Sequence, residues 1–266
     1  MRTRLPAFAG MFYSDKPQEL AATVRTLIAE AATFAARASA KAVIAPHAGY
    51  IYSGAIAGTA YASLGASPAA LGGQVERVIL FGPSHRVAFP GVAVSGADIF
   101  ETPMGPVSVD RECVAALIQN GLVREFEPAH ENEHSLEVQL PFVKAVFPSA
   151  RVVPLLAGDD DWHAAKRVLE NLWGGDETAI VISSDLSHYH DYASAKNIDA
   201  GTAETMQHLA AGQVDHEHAC GATGINALLA LAADKGLACA ALDLRNSGDT
   251  AGPRNRVVGY GAFAVG

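Results

Sequence analysis

Two histidines follow short apolar runs in the same local pattern. Residues 42–45 precede Pro46 and His47, and residues 77–81 lead through a glycine–proline turn to His85. Apolar runs of this length are typical of buried strands, and proline ends the hydrogen-bond ladder of a strand. Both imidazoles are therefore expected at the carboxyl ends of strands, where open α/β sheets bind their ligands.

Three further polar residues occupy comparable positions. Asp185 and His188 follow the apolar run 178–183, and Cys220 precedes an apolar helix whose positive end favours a thiolate. The carboxyl ends of parallel strands lie at one edge of a sheet, so these groups can meet there. Two imidazoles with one anionic ligand are typical of a mononuclear transition-metal site with open positions, and a thiolate favours iron, copper or zinc.

Each of these residues also has a purely structural interpretation. The two strand-end histidines could be ordinary hydrogen-bonded residues, Cys220 could be an inert buried thiol, and Asp185 could cap the following helix. His188 could be a loop histidine without a role in chemistry. His216 and His218 alternate with Cys220, so an extended segment would place all three on one side as a rival local site.

Composition and charge restrict the class of protein. Half of the 266 residues are apolar and 18% are charged, which is enough for a large core, and the net charge is −9. Lysine and arginine are scattered, which argues against nucleic acid or an anionic membrane as the main partner. No leader pattern begins the chain and no apolar run approaches ~18 residues, so a soluble, cytoplasmic protein is expected. Cys113 and Cys239 lie in apolar runs and, with Cys220, lack the spacing of a disulfide framework.

Strands and helices alternate along the chain, which predicts one α/β domain, residues 1–266, with a mainly parallel sheet flanked by helices. The predicted strands are 42–47, 77–81, 92–94, 107–109, 151–156, 178–183, 237–244 and 257–265. The predicted helices are 19–38, 54–64 with Ser53 as N-cap, 110–120 capped by Asp110, 134–147 with a kink or its true start at Pro141, 160–172, a helix from Asp191 or Ser194 to 209, and a helix after Gly221 to 233. The candidate residues must lie where the strands of this sheet end.

Beyond these single residues, a series of short motifs runs through the chain in a characteristic order. The motifs are Pro46-His47-Ala48-Gly49-Tyr50, Tyr52-Ser53-Gly54, Gly82-Pro83-Ser84-His85, Thr102-Pro103-Met104-Gly105, Glu133-His134-Ser135-Leu136-Glu137, Pro141-Phe142, Ser183-Ser184-Asp185-Leu186-Ser187-His188, Cys220-Gly221 and Val258-Gly259-Tyr260. Together with Arg4, Pro6, Ala9-Gly10 and Phe12-Tyr13, they extend from residue 4 to residue 263. In identity and order these motifs resemble the Memo family (mediator of cell motility).

The resemblance implies a fold similar to that of the class III extradiol ring-cleaving dioxygenases, which are non-haem iron enzymes. It also implies metal ligands at His47, His85 and Cys220, with Fe(II) as the first expectation and copper or zinc as alternatives. Cys220 stands where the dioxygenases carry a carboxylate, which is a departure from the enzymes that cleave rings.

The same resemblance implies that Asp185 and His188 lie near the ion, and the hypothesis of a metalloenzyme assigns roles to the residues around it. Asp185 and His188 would be the catalytic pair, with His188 moving a proton and Asp185 fixing its orientation. Tyr50, Glu133 and His134 would bind substrate in the cleft. Glu133 and His134 could instead belong to a helix start, whose positive end favours acidic residues.

Two functions follow as hypotheses. The first is a redox metalloprotein or dioxygenase-like enzyme that acts on a small molecule or peptide in the cleft. The second is a metal-independent module that uses the same cleft to bind a peptide or a small anion. The resemblance adds that eukaryotic relatives are linked to cell motility, phosphotyrosine peptides, copper-dependent redox activity and iron handling. In prokaryotes, a Memo-like gene often accompanies genes for radical-SAM and Ammecr-type proteins, which implies a functional link to them.

Overall fold

The computed structural model describes residues 1–31 and 40–266, in which strands and helices alternate. The strands are β1 (Thr3–Arg4), β2 (Ala42–Ala45), β3 (Arg77–Pro83), β4 (Val92–Val94), β5 (Ile99–Phe100), β6 (Val107–Ser108), β7 (Arg124–Glu125), β8 (Arg151–Ala157), β9 (Thr178–Ser183), β10 (His188–His190), β11 (Cys239–Asn246) and β12 (Val257–Val265). The α-helices are α1 (Pro17–Glu30), α2 (Tyr50–Gly65), α3 (Pro68–Leu71), α4 (Arg111–Gln119), α5 (Glu127–Glu131), α6 (Leu140–Val146), α7 (Trp162–Asn171), α8 (Tyr192–Gln207) and α9 (Ala222–Asp234).

Four parallel strands form the centre of the main sheet, in the order β2-β9-β3-β8. Their side chains are buried on both faces, and Ile44, Ile79, Val153 and Ile182 have no exposed surface. Burial on both faces is typical of parallel strands that are covered by helices on either side. Because the four strands are parallel, their carboxyl ends, which carry the candidate residues, lie at one edge.

Antiparallel pairs flank this parallel centre. Strand β12 pairs antiparallel with β2, β10 and β11, and β4 pairs antiparallel with β8, while β7 lies parallel to β4 at the far edge. The predicted α/β class is confirmed, and the sheet is mixed because antiparallel pairs adjoin its parallel centre on both sides. This arrangement is consistent with the extradiol-dioxygenase type of fold that the resemblance implies.

The start of α2 differs from the prediction. The helix begins at Tyr50 and Gly49 is its N-cap, whereas Ser53 lies inside the helix and donates from Oγ to the Ala48 carbonyl. The Tyr50 amide, which has no partner within the helix, donates to the Phe12 carbonyl of the N-terminal segment. A tertiary contact therefore replaces the local cap that the sequence suggests.

Pro141 marks a helix start. A 3₁₀ turn, Glu137–Gln139, precedes α6, and Pro141 occupies the first turn of α6, where a missing N–H costs little. Helix α1 ends at Glu30, and residues 32–38 of the predicted first helix lie outside the described residues. Strands β9 and β12 have the predicted ends, whereas β1, β5, β7 and β10, with two or three residues each, are too short for a sequence pattern.

Within residues 1–31 and 40–266, no helix is both long and apolar enough to cross a bilayer.

Candidate metal centre and its cleft

His47 lies just beyond the end of β2 and is 2% exposed. Its Nδ1 is 2.9 Å from Oγ of Ser183, the last residue of β9. That hydroxyl donates to the Ser135 carbonyl and accepts from the Gln139 side-chain amide. Because its only hydrogen is used, it must accept from His47 Nδ1–H, and the lone pair of His47 lies on Nε2.

His85 follows β3 and is held by Glu133. The two carboxylate oxygens of Glu133 accept from His85 Nδ1, at 2.8 Å, and from the His85 amide, at 2.6 Å. Burial alone would raise the pKa of Glu133, but these hydrogen bonds and one from the Ser135 amide lower it to about 2. Glu133 therefore stays ionised and fixes the tautomer, which leaves Nε2 of His85 free to bind a metal.

His134 completes a compact group of imidazoles. Its ring stacks on that of His85 at 4.6 Å, and the ring of His47 lies 5.1 Å from that of His85. One nitrogen from each of the three rings lies within 4.8 Å of the others, so this group could hold a metal ion. Burial lowers the pKa of His134 to about 4, with a contribution from His47, and burial likewise lowers the pKa of His47. Neutral imidazole is the form that binds metals.

Cys220 lies against this group from the start of α9. Its Sγ is 3.3 Å from His47 Nε2 and accepts from the Asp185 amide at 3.3 Å. Gly221 allows this approach, because a Cβ there would lie 2.7 Å from the Ser183 carbonyl. Burial and the nearby Asp185 carboxylate raise the pKa of the Cys220 thiol. These two effects are stronger than the effect of the positive end of the helix, which was expected to favour a thiolate. Without a cation, the thiol donates to His47.

Asp185 and His188 line the same cleft without bonding to each other. The Asp185 carboxylate accepts from the His47 backbone amide at 2.7 Å, so it fixes the chain at His47. Burial raises the pKa of Asp185, and the nearby His188 partly offsets that rise. Among the described residues, no hydrogen bond joins this carboxylate to the half-buried ring of His188. The contact expected from the sequence is thus absent, and the Asp185 carboxylate instead holds His47.

Tyr50 and Glu133 support the site from behind. The Tyr50 hydroxyl donates to the Val138 carbonyl, and its ring packs on Phe142 in the core. Neither residue lines the cleft, whereas Tyr52 does. Because the sequence pattern did not reveal where α2 begins, it did not show which tyrosine faces the cleft.

The cleft has a volume of about 550 Å³, which suits a small-molecule ligand. Its lining includes five residues of the predicted site, namely His47, His85, His134, Asp185 and His188. His85 also borders a separate pocket of about 280 Å³, and Cys220 lines that pocket and not the cleft. The centre therefore lies between two cavities, of which the larger carries the candidate proton-transfer residue.

A β-bulge forms one wall of the cleft. His188 pairs with Val258 and His190 pairs with Val257, so Tyr189 is the extra residue of the bulge. Its φ of 65° is in the left-handed region, which for a bulky residue costs on the order of 1 kcal/mol. Neighbouring side chains of a regular strand face opposite sides, but this bulge lets both His188 and Tyr189 line the cleft.

A second buried polar cluster lies beside the site and is centred on Glu137. The donors to its carboxylate are Arg4 Nη1, the amides of Ala7 and Phe8, and the Tyr13 hydroxyl. Arg4 also donates to the carbonyls of His130 and Glu133. This cluster ties the N-terminal segment to the segment that carries Glu133 and His134.

Comparisons with known proteins agree with the motifs. A family model described as Memo-like protein matches residues 4–264. A MEMO1 family protein of Aquifex aeolicus is 32% identical over 274 residues, which cover 98% of each chain. A MEMO1 family protein of Methanosarcina barkeri is 34% identical over 275 residues, which cover 98% of this chain and 99% of the relative.

A solved structure resembles the fold. The crystal structure of an uncharacterized protein from Escherichia coli K12 matches with a TM-score of 0.53 and 14% identity, and the match covers 85% of this chain and 99% of that one. At this identity the likeness concerns the fold alone. The match of the family model over nearly the whole chain is the stronger finding, and it shows that the chain belongs to the Memo-like protein family.

Proposed function

We propose that this protein is a non-haem metalloprotein with dioxygenase-like or related redox activity in the cleft. His47 Nε2, His85 Nε2 and Cys220 Sγ would hold the ion, and His134 lies beside them as a further donor. The observation that carries the proposal is the meeting of three imidazoles, of which one nitrogen each lies within 4.8 Å of the others, with a thiol 3.3 Å from one of them. Two of the rings are already fixed through Nδ1, as metal-binding histidines usually are.

The donor set restricts the metal. Imidazole and thiol suit iron, copper or zinc, whereas magnesium and calcium prefer oxygen ligands. Among these we propose Fe(II), which supplies one-electron chemistry and open positions for oxygen and a substrate. A divalent cation would also reverse the balance at Cys220, because positive charge favours the thiolate that burial disfavours.

The protein's own side chains would orient the metal ligands and transfer protons. Ser183 and Glu133 hold the imidazoles of His47 and His85 in one tautomer, and the Asp185 carboxylate holds the chain at His47. His188 lines the cleft and would accept a proton from a substrate hydroxyl group.

Metal content tests the ligand set. After anaerobic purification and loading with Fe(II), we expect elemental analysis to find about one ion per chain, since the proposed centre is mononuclear. His47→Ala, His85→Ala and Cys220→Ser should each lose most of that ion. Cys113→Ser and Cys239→Ala are matched controls and should keep it. Full occupancy in Cys220→Ser would remove the thiol from the ligand set and make His216 or His218 the next candidate.

Turnover tests the role of His188. His188→Ala should keep the fold and the ion but lose ~10²–10⁴-fold in rate, the usual contribution of a general base. Oxygen uptake by the iron-loaded protein with small phenolic compounds is the measurement. Equal rates for an active wild type and the variant would show that His188 is not the general base. If the wild type took up no oxygen above background, the result would count against the proposed enzymatic activity.

A second candidate is the metal-independent binding module. The observation that favours it is the hydrogen bond between the Cys220 thiol and His47 Nε2, which satisfies both groups without an ion. This function predicts that chelator treatment leaves ligand affinity unchanged. The metalloprotein predicts that an oxygen-bearing ligand binds more weakly after the ion is removed.

A further inference from the structure

Arg256 provides a cationic group at the cleft that the proposed chemistry does not use. It precedes β12, its side chain is exposed, and it is the only lysine or arginine among the residues that line the cleft. No hydrogen bond or ion pair joins its guanidinium to another side chain within the described parts of the chain. Its donors are therefore available to a ligand.

Tyr189 contacts this guanidinium with its ring. The central carbon of the Arg256 guanidinium lies 4.3 Å from the centre of the Tyr189 ring, within the range of a cation–π contact. Such a contact uses the face of the guanidinium and leaves its N–H edge free for a planar acceptor. Tyr189 reaches this position because it is the extra residue of the bulge, with its backbone in the left-handed region.

The other side chains that line the cleft favour a ligand with an aromatic ring. Phe12, Tyr52 and Tyr260 line the cleft together with Tyr189, and aromatic side chains pack well on planar ligands. The formal charges of the lining are balanced, since Arg256 is opposed by Asp185 alone. One cation suits a carboxylate, whereas a doubly charged phosphate usually meets several donors.

We propose that the cleft binds a small aromatic carboxylate, with Arg256 as the specificity-determining residue that pairs with the acid group. This inference rests on the proposed function only in one respect, namely that the end of the ligand opposite the carboxylate would face the histidines. The preference for a carboxylate does not need the ion.

Two probes of the same shape test the preference. 4-Hydroxybenzoate carries the carboxylate, and 4-hydroxybenzamide replaces it with a neutral amide. We expect calorimetry to show that the wild-type protein binds the acid at least ~10-fold more tightly, which is the usual effect of a charge-assisted hydrogen bond. Arg256→Gln should lose that preference. Arg254→Gln is the matched control and should keep it, because Arg254 is also exposed and lies over a tyrosine ring, that of Tyr192, but does not line the cleft.

Each outcome bears on the proposal. Equal affinity for the two probes, no binding of the acid, or a preference that survives Arg256→Gln would overturn it. The titrations are repeated after treatment with a chelator. A preference that depends on Arg256 in the chelated protein supports the inference even if the protein holds no iron, so failure of the metal centre and failure of the carboxylate site are distinguishable.

Discussion

Two buried polar clusters lie side by side and differ in how their atoms are satisfied. In the closed cluster, Arg4, Tyr13 and Glu137, the carboxylate accepts four hydrogen bonds. In the open cluster, formed by Cys220 and the imidazoles of His47, His85 and His134, only the Cys220 thiol meets His47 Nε2, and His85 is held through Nδ1. Nδ1 of His134 lies 3.4 Å from the Glu133 carboxylate but has no hydrogen-bond partner among the described residues.

The difference indicates a structural role for the closed cluster and a ligand-binding role for the open cluster. A buried polar atom without a partner destabilises a fold by roughly 1–3 kcal/mol, and beside a cleft such an atom is available to a ligand. The segment Glu133–Glu137 serves both clusters, because Glu133 holds His85 while Glu137 binds Arg4. The closed cluster thus keeps the residues of the open cluster in position.

The largest expected effect is on the closed cluster. Glu137→Ala leaves Arg4 buried without its partner and should lower the free energy of unfolding by about 3–5 kcal/mol. Urea denaturation followed by circular dichroism measures the loss, and Glu131→Ala, at the exposed end of α5, is the control. A loss close to that of the control would show that the cluster does not stabilise the fold.

The next effect depends on pH and concerns His130, whose carbonyl accepts from Arg4. Burial, with a contribution from Arg4, lowers the pKa of His130 to about 3, whereas the unfolded chain binds this proton near pH 6.5. The unfolded state therefore holds more protons, and stability falls as the pH drops below 6.5 towards 3. Between pH 7 and pH 5 this residue should account for about 2 kcal/mol.

Comparison of variants isolates that contribution. The free energy of unfolding of His130→Gln should fall less steeply between pH 7 and pH 5 than that of the wild type. His208→Gln, at an exposed position, should follow the wild type. Parallel curves for wild type and His130→Gln would mean that folding does not lower the pKa of His130.

The smallest of these effects is on the open cluster. Ser183→Ala removes the acceptor of His47 Nδ1–H, so the ring loses its fixed tautomer. Affinity for the ion should fall about 10-fold, the lower end of what such supporting contacts contribute. A competition titration with a chelator gives the value, and Ser108→Ala, on the exposed side of β6, is the control. Unchanged affinity would show that Ser183 does not orient the ligand.

The sequence was sufficient where the structure depends on local pattern. The apolar runs gave the ends of β9 and β12, and two such runs, each followed by a breaker and a histidine, placed His47 and His85 at one edge. That prediction is general, because parallel strands must end on the same side. The observed 5.1 Å between the two rings agrees with it.

The sequence pattern could not predict the long-range contacts. Glu133 lies 48 positions from His85, and the irregular segment around it has no periodicity that would show which residue its carboxylate meets. Asp185 was expected to orient His188 because the two are close in sequence, yet its carboxylate binds the amide of His47, 138 positions away. A side chain in a loop can face several ways, and only the packed structure decides among them.

The location of the ion tests the central claim most directly. Crystals grown anaerobically with Fe(II), measured at the iron absorption edge, would show the ion by its anomalous scattering. We predict one peak at bonding distance, about 2.0–2.4 Å, from His47 Nε2, His85 Nε2 and Cys220 Sγ. An ion held by the three imidazoles with Cys220 Sγ beyond bonding distance, an ion at His216, or no peak beside the three imidazoles would contradict the account.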